Sequence, residues 1–214
     1  MKVAIIGATG FVGAALVTEF ANRDHEVSAI SRNPKEGTTN VTPVKADVLD
    51  IDALAQILKG HDVVVNSFNP GWTNPNIYDD FINGSKAIQE AIKKSGVKRF
   101  ITIGGAGSLF VAPGVQAVDG PDFPAEIKAG ATAARDYLNI IKEEKELDWA
   151  FFSPAFEMHQ GTKTGRTGKY RLGIEEPVFN DENRSILSVE DLAVVLADEV
   201  ENPKHHQVRF TAGY

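Results

Sequence analysis

The sequence predicts an α/β fold: a single domain spanning residues 1–214 with a doubly wound, mostly parallel sheet. Two observations carry this. Short apolar, β-branched runs alternate with amphipathic helical segments from residue 2 to about 153, and no linker, repeat or low-complexity stretch interrupts them. Alternation of this kind requires right-handed crossovers, which place helices on both faces of a parallel sheet. A chain of 214 residues is long enough to bury one substantial core.

Val3–Ile6 reads as a buried first strand, followed by a helix from about Phe11 to Asn22. "EVSAIS" and "VTPVKAD" supply the next two strands, and Ile51, Leu54 and Leu58 mark a short amphipathic helix. "DVVVNS" is a fourth strand, too short and too rich in β-branched residues for a helix. Phe81, Ser85, Ile88 and Ile92 recur at helical spacing before a fifth strand, "KRFITIGG". Ile127, Ala131, Ala134, Leu138 and Ile141 give the inward stripe of another helix, ending before the strand "DWAFFSP".

Beyond Pro154 the alternation loosens into the polar stretch "HQGTKTGRTGKYRLG". Residues from about 154 to 188 therefore read as a substrate-side segment inserted before the last helix. Its basic core, "KTGRTGKYR", is expected to be a solvated loop. The last helix begins near Ser188, whose hydroxyl can cap it, with Asp191 at the third helical position in a variant capping box. Leu192, Val195, Leu196 and Val200 form its inward stripe, and "HQVRFTAGY" is the final strand.

A formal net charge of −7, without a long run of like charges, argues against nucleic acid or an anionic membrane as partner. The absence of cysteine excludes disulfides, thiolate metal sites and a cysteine nucleophile, and suits a reducing, cytoplasmic setting. No signal sequence precedes the first strand, and no apolar stretch approaches the length of a membrane span. His205 and His206 point to opposite faces of an extended segment with no acidic neighbour evident, so no metal is expected.

The chemistry is written in "IIGATGFVGAAL". Glycine carries an entropic cost, so Gly7, Gly10 and Gly13 at a strand-to-helix turn need a steric reason. Gly7 serves the tight turn, Gly10 lets phosphate oxygens approach the backbone, and Gly13 lets the helix pack on the sheet. With Thr9, Phe11 and Val12, these residues form the expected seat for the pyrophosphate of a dinucleotide at a helix N-terminus. Where NAD-binding chains carry an acid at the end of the second strand, this one has Ser31 and Arg32. A guanidinium there suits a 2′-phosphate and favours NADP(H) over NAD(H). Asp47, with Val48 beside it, is placed to meet the adenine edge or to serve as a turn acceptor.

The stretches "GATGFVG", "SRNP", "GSKAIQEAIKKSGVKRF", "GGAGSL", "WAFFSPA", "GKYRLG" and "SVEDLAVVLADEVENP" cover nearly the whole chain. They resemble the atypical branch of the short-chain dehydrogenase/reductase superfamily. The greatest similarity is to NAD(P)H-flavin reductases, related to NmrA-like proteins and to flavin/biliverdin reductases of the biliverdin reductase B type. The resemblance implies a single NAD(P)-binding Rossmann domain, NADP(H) as cofactor and flavin as acceptor. It places Ser108 at the family's serine position. The cofactor side also takes in Gly104 and Lys128, with Ser67, Phe68 and Pro154 at the carboxyl ends of the fourth and sixth strands; ordinary core packing is the alternative for Phe68, as it is for Phe156. One departure is informative. The better-known dehydrogenases use Tyr-x-x-x-Lys, but none of Tyr78, Tyr137, Tyr170 and Tyr214 has lysine four residues later, and Pro124 precedes Lys128 by four. Reduction of a ketone makes an alkoxide that needs a positioned acid. Reduction of an oxidised flavin makes a delocalised anion that water can protonate.

Candidates for the acceptor side are Trp72, in "SFNPGW", together with Phe156, Met158 and His159 in "SPAFEMHQ". Ser108 and His159 are the candidate catalytic residues. The expectation is an NADPH-dependent oxidoreductase passing hydride to a flavin (FMN or FAD) or a similar conjugated small molecule, acting as a monomer or homodimer. A non-catalytic NADP(H) sensor working through a protein partner is the alternative, and a sugar epimerase or dehydratase relative is the third reading.

Overall fold

The computed structural model describes residues 1–214. Chain order is β1 (Lys2–Ile6), α1 (Phe11–Asn22), β2 (Glu26–Ser31), β3 (Val41–Lys45), α2 (Ile51–Leu58), β4 (Val63–Asn66), α3 (Ile77–Ser95) and β5 (Arg99–Ile103). It continues through a small hairpin of β6 (Phe110–Ala112) and β7 (Val115–Gln116), then α4 (Ala125–Ile141), β8 (Asp148–Ser153), β9 (Arg171–Gly173), α5 (Val189–Glu201) and β10 (Val208–Gly213). The eight-stranded sheet runs β3-β2-β1-β4-β5-β8-β10-β9, and every pairing is parallel except β9 against β10. This is the Rossmann-like, doubly wound α/β fold.

The period of two along β1 builds both cores at once. Val3 and Ile5 face the core closed by α1 and α5, while Ala4 and Ile6 face the one closed by α2, α3 and α4. Burying a strand on both faces demands a nearly continuous apolar run, which is what "VAII" and "VVV" supply. Strand order reverses at β1, between β2 and β4, so the crevice beyond the carboxyl ends of β1 and β4 is where this fold receives ligands.

Three expectations are corrected. Ile127 does not join the α4 stripe but is 38% exposed, because the first turns of α4 project past the neighbouring elements and burial starts at Gly130. The capping box is half made. The Ser188 hydroxyl accepts from Asp191 N at 3.0 Å, but the Asp191 carboxylate turns away from Ser188 N. It instead accepts from Thr167 N (2.9 Å), Gly168 N (2.8 Å), Thr167 Oγ1 (2.6 Å) and Tyr214 OH (2.6 Å). The basic stretch is the solvated loop expected, though a tethered one, since Arg166 pairs with Glu19 at 2.8 Å and Tyr170 OH donates to Asp198 at 2.5 Å. Finally, His205 and His206 do have acidic neighbours: their Nδ1 atoms lie 2.7 Å from Glu199 Oε2 and Asp148 Oδ1 respectively. The β6–β7 hairpin and β9 are too short to leave a period in the sequence.

Candidate nucleotide site and acceptor rim

The turn after β1 is shaped by two glycines. Gly7 has φ +80°, and its N–H and that of Ala8 both donate to Ile30 O, at 3.0 and 3.2 Å, fastening the turn to β2. A Cβ on Gly7 would lie 2.7 Å from Ser67 O, and one on Gly13 would lie 2.1 Å from Gly7 O. Gly10 is the cap of α1 and is exposed, with no side-chain cap bond and no acid in the first turn. The N–H groups of Phe11, Val12 and Gly13 therefore find no acceptor within the protein. Three free amides and the positive end of a helix dipole form an anion seat.

At the end of β2, Ser31 is 8% exposed and its Oγ has no partner. Arg32, the next residue, is exposed and makes neither an ion pair nor a hydrogen bond. A buried orphan hydroxyl beside an uncommitted guanidinium, at the same sheet edge as the free amides, fits a nucleotide whose ribose and phosphate would satisfy them. Asp47 is a turn acceptor, taking Leu49 N at 3.0 Å, and Val48 packs half-buried against the α2–α3 side of the core.

Beyond β4, Ser67 Oγ donates to Ile6 O at 2.8 Å, which sets that loop against the glycine turn. Asn66, 2% exposed, accepts from Phe68 N at 3.0 Å and donates to Thr102 Oγ1 at 3.1 Å. The Phe68 ring points away from the crevice into α3. It fills the space where Gly84 lacks a Cβ, which would sit 2.4 Å from Phe68 Cε1. Only its backbone remains on the cofactor side. Gly104 N donates to Phe152 O at 2.9 Å, and a Cβ at Gly104 would run into the Phe151 ring.

Ser108 departs most clearly from expectation. It is 0% exposed, and its hydroxyl donates to Gly105 O and shares a bond with Ser153 Oγ, each at 2.8 Å. A hydroxyl so placed holds the loop after β5 and does not touch an acceptor. Pro154 is buried at the end of β8, and Met158 packs half-buried on the α1–α5 side of the core. Phe156 is 39% exposed and meets Phe179 edge-on, with ring centroids 6.5 Å apart. His159 is exposed, its Nδ1 accepting from Gly161 N at 3.0 Å. Lys128 is exposed on the first turns of α4, without a partner, and Trp72 is 56% exposed on the loop after β4.

All four phenols are committed elsewhere. Tyr78 OH donates to Asp136 (2.8 Å), Tyr137 OH to Gln89 (3.2 Å), Tyr170 OH to Asp198 (2.5 Å) and Tyr214 OH to Asp191 (2.6 Å). Each is held above the ordinary tyrosine pKa: Tyr78 mainly by its bond to Asp136, the other three first by burial. A general acid works best with a pKa near the working pH, and none of these moves that way. Sequence reasoning missed Asn66, Phe179 and Gly130. The polar residue closing the run "VVVN" was a legible signal for Asn66, while Phe179 and Gly130 left none.

No three His, Asp or Glu side chains gather closely enough to hold a metal ion, and no helix is long and apolar enough to cross a membrane. Comparison with known proteins agrees with the nucleotide seat. A model of a family described as NAD(P)H-binding matches residues 7–203. The Bacillus subtilis protein YwnB is 33% identical over 99% of this chain and 97% of its own. A solved structure from Bacteroides thetaiotaomicron, described as a putative epimerase, is 45% identical with a TM-score of 0.91, covering 100% of this chain and 96% of that one. Another, from Streptococcus pneumoniae and described as a putative NADH-flavin reductase, is 32% identical with a TM-score of 0.86, covering 100% and 99%.

Proposed function

The chain belongs to the NAD(P)H-binding family, and on that premise we propose that it is an NADPH-dependent reductase passing hydride to a flavin or a similar flat, conjugated acceptor. The observation that carries this reading is a nucleotide seat with free amides beside a rim that offers no phenolic acid. Bound NADPH would supply the hydride. The protein's share is placement: the amides of Phe11, Val12 and Gly13 hold the pyrophosphate, and Arg32 with Ser31 takes the 2′-phosphate. The segment that follows β8 from about residue 154, and Trp72 on the loop after β4, flank the acceptor. Holding two reactants in register supplies much of such a rate enhancement.

Hydride arrives with two electrons, and the proton that completes the reduced acceptor comes from water, because a charge spread over a conjugated ring is a weak base. Sugar epimerisation through a ketone would instead need a phenolate to take and return an alcohol proton, and the bonded, raised-pKa tyrosines argue against it. Purified protein should oxidise NADPH faster than NADH when FMN, FAD or riboflavin is added, followed by the nicotinamide absorbance. No turnover with flavins or quinones overturns the reading.

A further inference from the structure

Trp72 leaves 56% of its surface in water, yet the loop that carries it is tied down at several points. The loop carrying it starts at Ser67, bonded to Ile6 O beside the glycine turn. Asn69 Oδ1 accepts from Gly71 N at 2.7 Å and Asn74 Oδ1 from Asn76 N at 2.9 Å. Asn74 N donates to Gly71 O at 3.1 Å, and Asn74 Nδ2 ties the loop to Asp80 of α3 at 2.7 Å. Gly71 sits at φ +111°, a backbone region that favours glycine, with open space where a Cβ would be. The indole lands on α4 at its one bare backbone position in that turn. A Cβ on Gly130 would lie 2.7 Å from Trp72 Cζ3 and 2.8 Å from Ile77 Cδ1.

An indole carried on a loop so tied, and seated on α4, keeps more than half of its surface in water. Preorganised aromatic area of that kind is what a flat ligand exploits. We propose that Trp72, seated on Gly130, is the stacking shelf for the ring of the acceptor, and that Gly130 is the positioning residue that keeps the shelf in place. The inference rests on the reductase reading and adds to it a specified contact: acceptors are selected by planarity and π surface, and a non-planar carbonyl compound of equal size gains little.

The test is binding of riboflavin to the NADP-saturated protein, set beside NADPH affinity and steady-state kinetics. Trp72→Ala should weaken riboflavin binding and raise the acceptor KM by roughly tenfold, the worth of one stacked ring, with NADPH affinity unchanged. Trp72→Phe should recover most of the loss. Gly130→Ala should also raise the acceptor KM with NADPH affinity unchanged. Alanine is the better helix former, so a weakened helix would not account for the loss. Riboflavin affinity unaltered in both Trp72→Ala and Gly130→Ala overturns the shelf while leaving the reductase intact. Should Trp72→Ala fail to fold, Gly130→Ala alone decides. Wild-type protein that neither binds nor reduces any flavin or quinone overturns both.

Discussion

One methyl group separates the roles of Gly10 and Gly13. At Gly13 a Cβ would meet Gly7 O at 2.1 Å, and a carbonyl locked in the turn cannot yield. Gly13→Ala should destabilise the fold by about 3 kcal/mol, read as a lower urea midpoint, since overpacking against backbone has no soft side to give way. At Gly10 the same atom would stand 3.3 Å from Gly7 O, with φ −74° open to any residue. Gly10→Ala should stay within about 1 kcal/mol of wild type in urea and show its effect as weaker NADPH binding, because the methyl projects where phosphate must approach. Arg32 offers a cleaner division still, being exposed and unpaired. Arg32→Ala should raise the dissociation constant for NADPH about tenfold, as expected for one charge-assisted phosphate contact, and leave that for NADH unchanged. Equal losses for both nucleotides in calorimetry would remove the 2′-phosphate assignment.

Elements that bury a regular stripe are legible in sequence; those held by distant partners are not. Val3–Ile6 and "DVVVNS" announce buried strands because both faces must be apolar, and Gly7 and Gly13 announce their turn because a Cβ at either would strike backbone. Ser108 could be aligned by its motif, but no pattern in "GGAGSL" tells that Ser153, 45 residues on, closes over its hydroxyl. Phe68 shows the same limit: two readings are open to its ring, and the one realised, core packing, depends on Gly84 of another element. Asp191 is the fullest case. Three residues after the Ser188 cap it reads as the reciprocal half of a capping box, whereas its carboxylate is spent on Thr167, Gly168 and Tyr214. Asp191→Asn would set an amide's donors against four donors in a fully buried site. It should cost about 2 kcal/mol and speed hydrogen exchange at residues 163–170. Ser188→Ala removes the cap and also the bond from Ser188 Oγ to Gly165 O at 2.7 Å, so it should cost about 1 kcal/mol and speed exchange near Gly165, with less effect at Thr167 and Gly168. Exchange at Thr167 and Gly168 no faster in Asp191→Asn than in Ser188→Ala would show that Asp191 does not hold this strap.

Across the whole molecule, buried carboxylates join parts of the chain that local periodicity cannot join. Glu19 on α1 binds Arg166 of the strap and Arg23, whose guanidinium reaches Asp198 and Glu201 on α5. Glu199 on α5 binds Arg99 of β5 at 2.6 Å and His205 ahead of β10. The hydrogen bond from Arg166 holds Glu19 below the ordinary value of 4.5 against the opposing effect of burial, with Arg23 assisting. Burial pushes Asp191 and Glu199 up, but bonds from Thr167, Tyr214 and Gly168 in one case, and from His205 and Lys204 in the other, outweigh it and leave both low. A carboxylate with a folded pKa below its unfolded one binds fewer protons in the native state, so unfolding takes up protons as pH falls. The stabilisation is fully present above the ordinary carboxylate values of 3.8 and 4.5 and is lost as pH drops through the lower folded values. The melting temperature should therefore be nearly flat from about pH 7 to pH 5 and fall steeply below about pH 4. In a Glu19→Gln/Asp191→Asn double variant the protein should melt lower at neutral pH and lose less on acidification, because two of the groups that drive the loss are gone. Scanning calorimetry across that range decides it: an acid limb as steep in the double variant as in the wild type would place the pH sensitivity elsewhere in the molecule.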